Sequence, residues 1–190
     1  PIVPRSKVDP TRSAKQVSAM FRDIEDRYLG IKRALKALFD QRMTGRDRET
    51  NSHNWHFFCH VNGDDPTLYQ VSAGKYIYDM SAQELADLLE AVQGILDDYL
   101  LDGGEQNLWA MDYVAAEAQR GTLEAFNNLS QQSQVYASQT TLQQLLNSPG
   151  YLNQIAAARL TTFSEWKVIS DTARGDLTSI ITDALARGVH

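Results

Sequence analysis

The chain has 190 residues, 43% hydrophobic and 22% charged, with a formal net charge of −6. That length holds one medium domain or two small ones, and the apolar content is too high and too patterned for a disordered chain. No apolar run approaches the roughly 18 residues of a membrane span, the start Pro1-Ile2-Val3-Pro4-Arg5 lacks the apolar core of a signal peptide, and a single cysteine, Cys59, excludes an internal disulfide and favours a reducing cytoplasm. Pro1 is also what removal of an initiator methionine leaves. The mean charge hides an asymmetry: residues 1–50 hold 12 Lys/Arg against 7 Asp/Glu, and residues 51–190 hold 6 against 17. A basic N-terminal segment on an acidic body points to two surfaces with different partners, or to an ordinary solvated helix face.

Residues 1–8 read as an extended arm. From Asp9-Pro10, a capping residue followed by a proline at the first helical position, the pattern predicts one long helix to Met43. Val17, Phe21, Ile24, Tyr28, Ile31, Leu35 and Leu38 follow steps of 4 and 3 and form a narrow a/d seam, the mark of a helix packed lengthwise on another. Gly30 interrupts it, at about 1 kcal/mol relative to Ala, and marks either a weak point or a close approach. Thr44-Gly45 supplies the stop.

After a polar loop at 45–54 the pattern changes. Trp55 to Val61, Thr67 to Val71 and Lys75 to Tyr78 are strand candidates separated by turn clusters at 62–66 and 72–74, predicting a small antiparallel meander. Ser81 and Glu84 then form a capping box for a helix to 101, with Leu85, Leu88, Val92, Ile95 and Tyr99 in the same 3-4 rhythm and an acidic outer face of Asp87, Glu90, Asp97 and Asp98. Two seams of equal period predict antiparallel packing of 10–43 on 81–101.

Asp102-Gly103-Gly104 is the clearest break, and the rest reads as helix. Residues 105–132 carry Trp109, Tyr113, Ala116, Leu123 and Phe126 on one side, with small residues (Ala115, Ala116, Ala118, Gly121) that let a neighbour come close. Residues 130–140 are polar with Tyr136 as anchor, and 140–146 forms a short helix with Leu142, Leu145 and Leu146 inside. Ser148-Pro149 restarts a helix. Whether 149–187, ending at Gly188, is one bent helix or two with a second start near Asp171 stays open. The expected fold is mainly α: long antiparallel helices with a small antiparallel β meander inserted, followed by a helical bundle. The expected units are 1–104 and 105–190.

Few residues carry a chemical signal. His53, His56, Cys59 and His60 are zinc-binding types, but on a strand Cys59 faces away from His56 and His60 and no second pair completes four ligands. Asp64/Asp65 occupies a turn and Asp97/Asp98 a helix flank, where backbone preference and solvation explain them. No nucleophile motif, phosphate loop or dinucleotide fingerprint is present. The expectation is therefore no catalytic residue, no metal and no cofactor. The candidate partner-binding residues are a basic face of Arg22, Arg27, Lys32, Arg33 and Lys36, continued by Arg42, Arg46 and Arg48, and the aromatic residues Trp109, Tyr113, Tyr151 and Trp166, for which a core role is the main alternative.

Five segments in order carry a resemblance: Ala115-Ala116-Glu117-Ala118-Gln119-Arg120-Gly121-Thr122, Gln131 to Tyr136, Leu145-Leu146-Asn147-Ser148-Pro149-Gly150-Tyr151, Phe163-Ser164-Glu165-Trp166-Lys167, and Ile181 to Gly188. Together they resemble the N-terminal helical region of phage head morphogenesis proteins, the Mu F-like minor head proteins. The resemblance spans under half the chain. It implies a structural, non-enzymatic minor capsid protein of a tailed phage virion, assembled in the host cytoplasm and placed at the portal vertex or capsid interior. Its implied partners are the portal protein, the major capsid protein or both, with packaged DNA as a further candidate, several copies per particle and no membrane. It also implies a further domain after His190, which in a fused arrangement could hold an enzyme. The alternative from the residues alone is a DNA-binding helical module acting through the basic face.

Overall fold

The computed structural model describes residues 13–43, 46–47, 76–78 and 80–188. Helix α1 runs Ala14–Arg42, β1 is Arg46–Asp47, β2 is Tyr76–Ile77, and α2 runs Ala82–Leu100. They are followed by α3 (Gly104–Asn107), α4 (Ala110–Gln132), α5 (Gln134–Gln139), α6 (Leu142–Leu146) and α7 (Pro149–Arg187). The expected start at Asp9-Pro10 lies outside the described residues. The end of α1, with the Met43 amide donating to the Phe39 carbonyl at 2.8 Å, falls close to the expected glycine stop.

Helix α2 is the axis of the molecule. Its capping box forms in full: the Glu84 amide donates to Ser81 Oγ at 3.2 Å and the Ser81 amide donates back to Glu84 Oε2 at 2.8 Å. Leu88, Val92, Leu96 and Leu100 are completely or almost completely buried. With Leu85, Leu89, Ile95 and Tyr99 packed around them, the apolar stripe is about 140° wide at 100° per residue, more than one partner needs. Two helices accordingly pack on it. Arg27 and Gly30 of α1 meet α2 near Tyr99, while Leu35 shares a wall with Leu96, so α1 is antiparallel to α2. Trp166 of α7 lies beyond the end of α2 against Trp109, and Ser170 meets Asp97 and Gln93, so α7 is antiparallel as well.

The seam of α1 is only partly used. Ile31 and Leu35 are buried and Ile24 and Leu38 pack beside them, whereas Val17, Phe21 and Tyr28 remain 45%, 60% and 46% exposed. Helix α2 ends opposite residues 27–30, so the first turns of α1 project past it. Among the described residues they meet α4 there, with the Tyr113 hydroxyl donating to Asp23 Oδ2 at 3.2 Å.

The expected β meander is corrected. The described residues are almost entirely helical, and their one ladder is a two-residue antiparallel pairing of Arg46 with Ile77 and Asp47 with Tyr76. It joins the chain after α1 to the chain before α2. The physical reason for the misreading is that aromatic and β-branched runs signal apolar burial without fixing a partner strand. The strand candidates at 55–61 and 67–71 lie outside the described residues.

At the Asp102–Gly104 corner Gly103 has φ +84°, and a Cβ there would sit 1.9 Å from the Asn107 carbonyl oxygen, so only glycine fits without strain. The expected continuous helix from 105 is broken here into α3 and α4, because Leu108 and Trp109 turn inward. The Trp109 indole Nε1–H donates to the Leu100 carbonyl at 3.0 Å, satisfying an otherwise orphaned group at the end of α2. Ser148 caps α7, its Oγ accepting from the Tyr151 amide, with Pro149 at the first turn. Helix α7 is a single element of 39 residues, about 58 Å long. Its first half packs on α4 and α6 and its second half on α2, so one core crosses residue 104.

Candidate docking surface

Because α1 and α7 flank α2 from two sides and run parallel to each other, a groove opens between them. It has a volume of about 660 Å³. Leu96 of α2 forms the floor; Tyr28, Ile31, Leu35 and Phe39 of α1 form one wall; Ala173, Leu177, Ile180 and Ile181 of α7 form the other. Ile180 is 62% exposed. The charged residues on its rim are Lys32, Lys36 and Asp40 from α1 and Asp176 from α7. Neither lysine nor Asp176 has an ion-pair partner among the described residues. A smaller gap of about 420 Å³ separates α4 from the first half of α7, lined by Ala118, Gly121, Tyr151, Ile155 and Ala158 among others. Of the small residues of α4, Ala118 and Gly121 border this gap, beside the contact that α4 makes with α7.

The basic face expected on α1 is divided. Arg22, Lys32, Arg33 and Lys36 are exposed. Arg27 is not part of that surface. Its side chain is 15% exposed, and its Nη1–H donates to the Tyr99 carbonyl at 2.7 Å and to Asp102 Oδ2 at 3.3 Å. Its Nε–H donates to Asp23 Oδ1 at 3.1 Å, and the guanidinium lies 4.2 Å from the centre of the Trp109 ring. Exposed Glu25 and Asp26 also interrupt the basic face between Arg22 and Lys32.

The aromatic candidates separate likewise. Trp109 and Trp166 are 7% and 8% exposed and pack edge-to-face with centroids 4.9 Å apart, so both belong to the core. Tyr113 is half-buried beside Trp109; burial first, and then the charge of Asp23, push its hydroxyl above its ordinary pKa. Tyr151 is half-buried at the α4–α7 gap.

No family model, curated protein or solved structure matches this chain. The surface must therefore be read from its own residues. His53, His56, Cys59, His60, Asp64, Asp65, Arg48 and the side chain of Arg46 lie outside what the structure describes. Among the described residues no group of three His, Cys, Asp or Glu side chains converges as a metal site would require, and no helix is long and apolar enough to cross a membrane.

Sequence reasoning did not find the groove. Leu177, Ile180 and Ile181 were visible as apolar positions of the last helix, and Tyr28 and Leu35 as seam positions. The signal that joins them is the width of the α2 stripe, which calls for two helices side by side.

Proposed function

We propose that the chain is a structural subunit of a tailed-phage head, a minor head protein attached to the portal or inner capsid that assists head assembly or DNA passage. The observation that carries this reading is the amount of apolar side chain left uncovered on a scaffold of long helices. Phe21, Leu152, Leu160, Val168 and Ile180 are each more than half exposed, on α1 and along the length of α7. Scattered exposed apolar residues need no explanation, and those of α7 lie on different sides of the helix, but the apolar groove between α1 and α7 fits a subunit that completes its burial in an assembly. The resemblance of residues 115–188 to the Mu F-like minor head proteins supplies the kind of assembly. A phosphate-tracking role is less well supported, since Arg27 is spent inside the fold and Glu25 and Asp26 break the basic track.

Co-purification of the 1–190 chain with a portal protein of the same source, at low and high salt, tests the reading. Stoichiometric binding that persists at high salt is expected. A variant carrying R22E, K32E, R33E and K36E, which spares Arg27 and therefore the fold, measures how much of the contact is electrostatic. Failure to bind portal, with salt-sensitive retention of the wild-type chain on DNA that this variant loses, would replace the assembly reading with the DNA-binding one.

A further inference from the structure

We infer that the groove between α1 and α7 is the seat of an amphipathic helix from a partner protein, one whose apolar stripe is flanked on one side by acidic residues. The inference deepens the assembly reading and rests on it for the partner's biological source. The groove runs along α1 from Tyr28 to Met43 and along α7 from Ala173 to Ala184, which is about 20 Å, or three to four helical turns. Its walls are parallel helices whose second faces are already committed to α2, so a third helix lying between them would complete a packed layer over Leu96. Two apolar side chains of the walls are exposed, Ile180 at 62% and Tyr28 at 46%.

The charges set the chemistry of the occupant. Lys32 and Lys36 stand one turn apart on the α1 rim, exposed and unpaired among the described residues. Two carboxylates one turn apart on the flank of a docked helix would meet both ammonium groups. The carboxylates are divided between the rims, Asp40 on α1 and Asp176 on α7, so one flank of a docked helix reaches only one of them. An acid-flanked helix therefore gains two ion pairs where a base-flanked one gains one, even if it docks in the reverse direction to bring its lysines toward Asp176.

The test uses two synthetic 16-residue helical peptides with the same leucine stripe, one carrying Glu at two positions a turn apart on one flank, the other Lys at the same positions. Fluorescence anisotropy on the 1–190 chain at low salt should show the Glu peptide binding about fivefold more tightly than the Lys peptide, with the difference shrinking as salt rises. I180E should abolish binding of both, with the helical circular dichroism of the chain unchanged because Ile180 is exposed. K32E/K36E should reverse the order of the two peptides. The inference is overturned if neither peptide binds, if I180E binds as the wild type does, or if the double variant keeps the original preference. It is also overturned if the chain self-associates and I180E makes it monomeric, which would make a second copy the occupant. Selective peptide binding without portal binding would remove the portal reading and leave the groove's chemistry standing; portal binding by a chain that binds neither peptide would do the opposite.

Discussion

Replacing Arg27 with Ala should destabilise the fold by about 3 kcal/mol, far beyond what a cation on a solvated helix face contributes. Its hydrogen bond to the Tyr99 carbonyl is a charged donor on a carbonyl in the last turn of α2, worth about 1.5–3 kcal/mol. The ion pair to Asp102, whose side chain is 58% exposed, adds only about 0.2–1 kcal/mol. Stacking over Trp109 at 4.2 Å adds about 0.5–1 kcal/mol, and the contributions overlap because one group makes them all. In a chain of this size each kcal/mol moves Tm by about 2–4 °C, so the loss should be about 9 °C by thermal circular dichroism. Arg27→Lys keeps one charge but not the fork or the planar stack, and should lose about half as much. Arg22→Ala and Arg33→Ala, at exposed positions of the same helix, should stay within about 0.5 kcal/mol of the wild type. If Arg27→Ala melts with Arg22→Ala, the clamp between α1 and the end of α2 contributes nothing and Arg27 returns to the surface set.

Leu88→Ala, at a fully buried position on α2, should cost about 3 kcal/mol in chemical denaturation, while Leu160→Ala, exposed on α7, should cost little. Gly30→Ala should destabilise by about 1 kcal/mol despite the better helix propensity of Ala, because its Cβ would lie 2.3 Å from the Tyr99 ring; equal or greater thermal stability would refute that packing. Ser170→Ala removes a buried hydroxyl that donates to Asp97 Oδ1 at 2.7 Å and accepts from Gln93 Nε2 at 3.0 Å, and should cost about 1–2 kcal/mol by urea titration. The Glu84 carboxylate is held below its ordinary pKa of 4.5 by the Ser81 hydroxyl and then the Ser81 amide. A depressed folded pKa gives stability that is present above 4.5 and lost as pH falls through the folded value. Glu84→Gln, which can keep the cap without the charge, should therefore flatten the acid limb of a stability-versus-pH curve below 4.5, and an unchanged limb would show that other carboxylates set it.

Helix starts were legible at two of the side-chain caps, while the Ser133 cap of α5 and the Thr141–Gln144 capping box of α6 went unread. Ser81 with Glu84, and Ser148 with Pro149, declare their helices within a few residues of sequence, and no distant contact alters that local bonding. Gly30 was legible as an anomaly whose cause is a ring 69 residues away: the Tyr99 side chain occupies the place of a Cβ. The break at Leu108-Trp109 was not legible, because the carbonyl that the Trp109 indole satisfies belongs to Leu100 and neither residue changes the helical period. The basic face failed at Arg27 although the helical period already separates it: at 100° per residue Arg27 lies about 120–180° from Arg22, Lys32, Arg33 and Lys36 and within about 40° of Leu38 and Ile31. Only its partners, Asp102 and the Tyr99 carbonyl, were beyond reach of the sequence.

The same logic explains why the candidate surface lies where two readings met without being joined. A seam predicts that a helix has a partner but not how much of its length the partner covers. Helix α2 has 19 residues and α1 has 29, so a full-length seam on α1 necessarily overhangs, and Val17 and Phe21 are the residues left over. On α2 the imbalance runs the other way: its stripe is wide enough for two helices, and α7 takes the second place. Two helices on adjoining sectors of one stripe diverge above it unless large side chains fill the space between them. Tyr28, Ile31, Leu35 and Phe39 of α1 and Leu177, Ile180 and Ile181 of α7 line that space without closing it, and it remains as the groove. Seam positions of α1 from Tyr28 onward, a wide stripe on α2 and the apolar positions Leu177, Ile180 and Ile181 of α7 are three separate sequence features that yield one concave site only when the three helices are packed together.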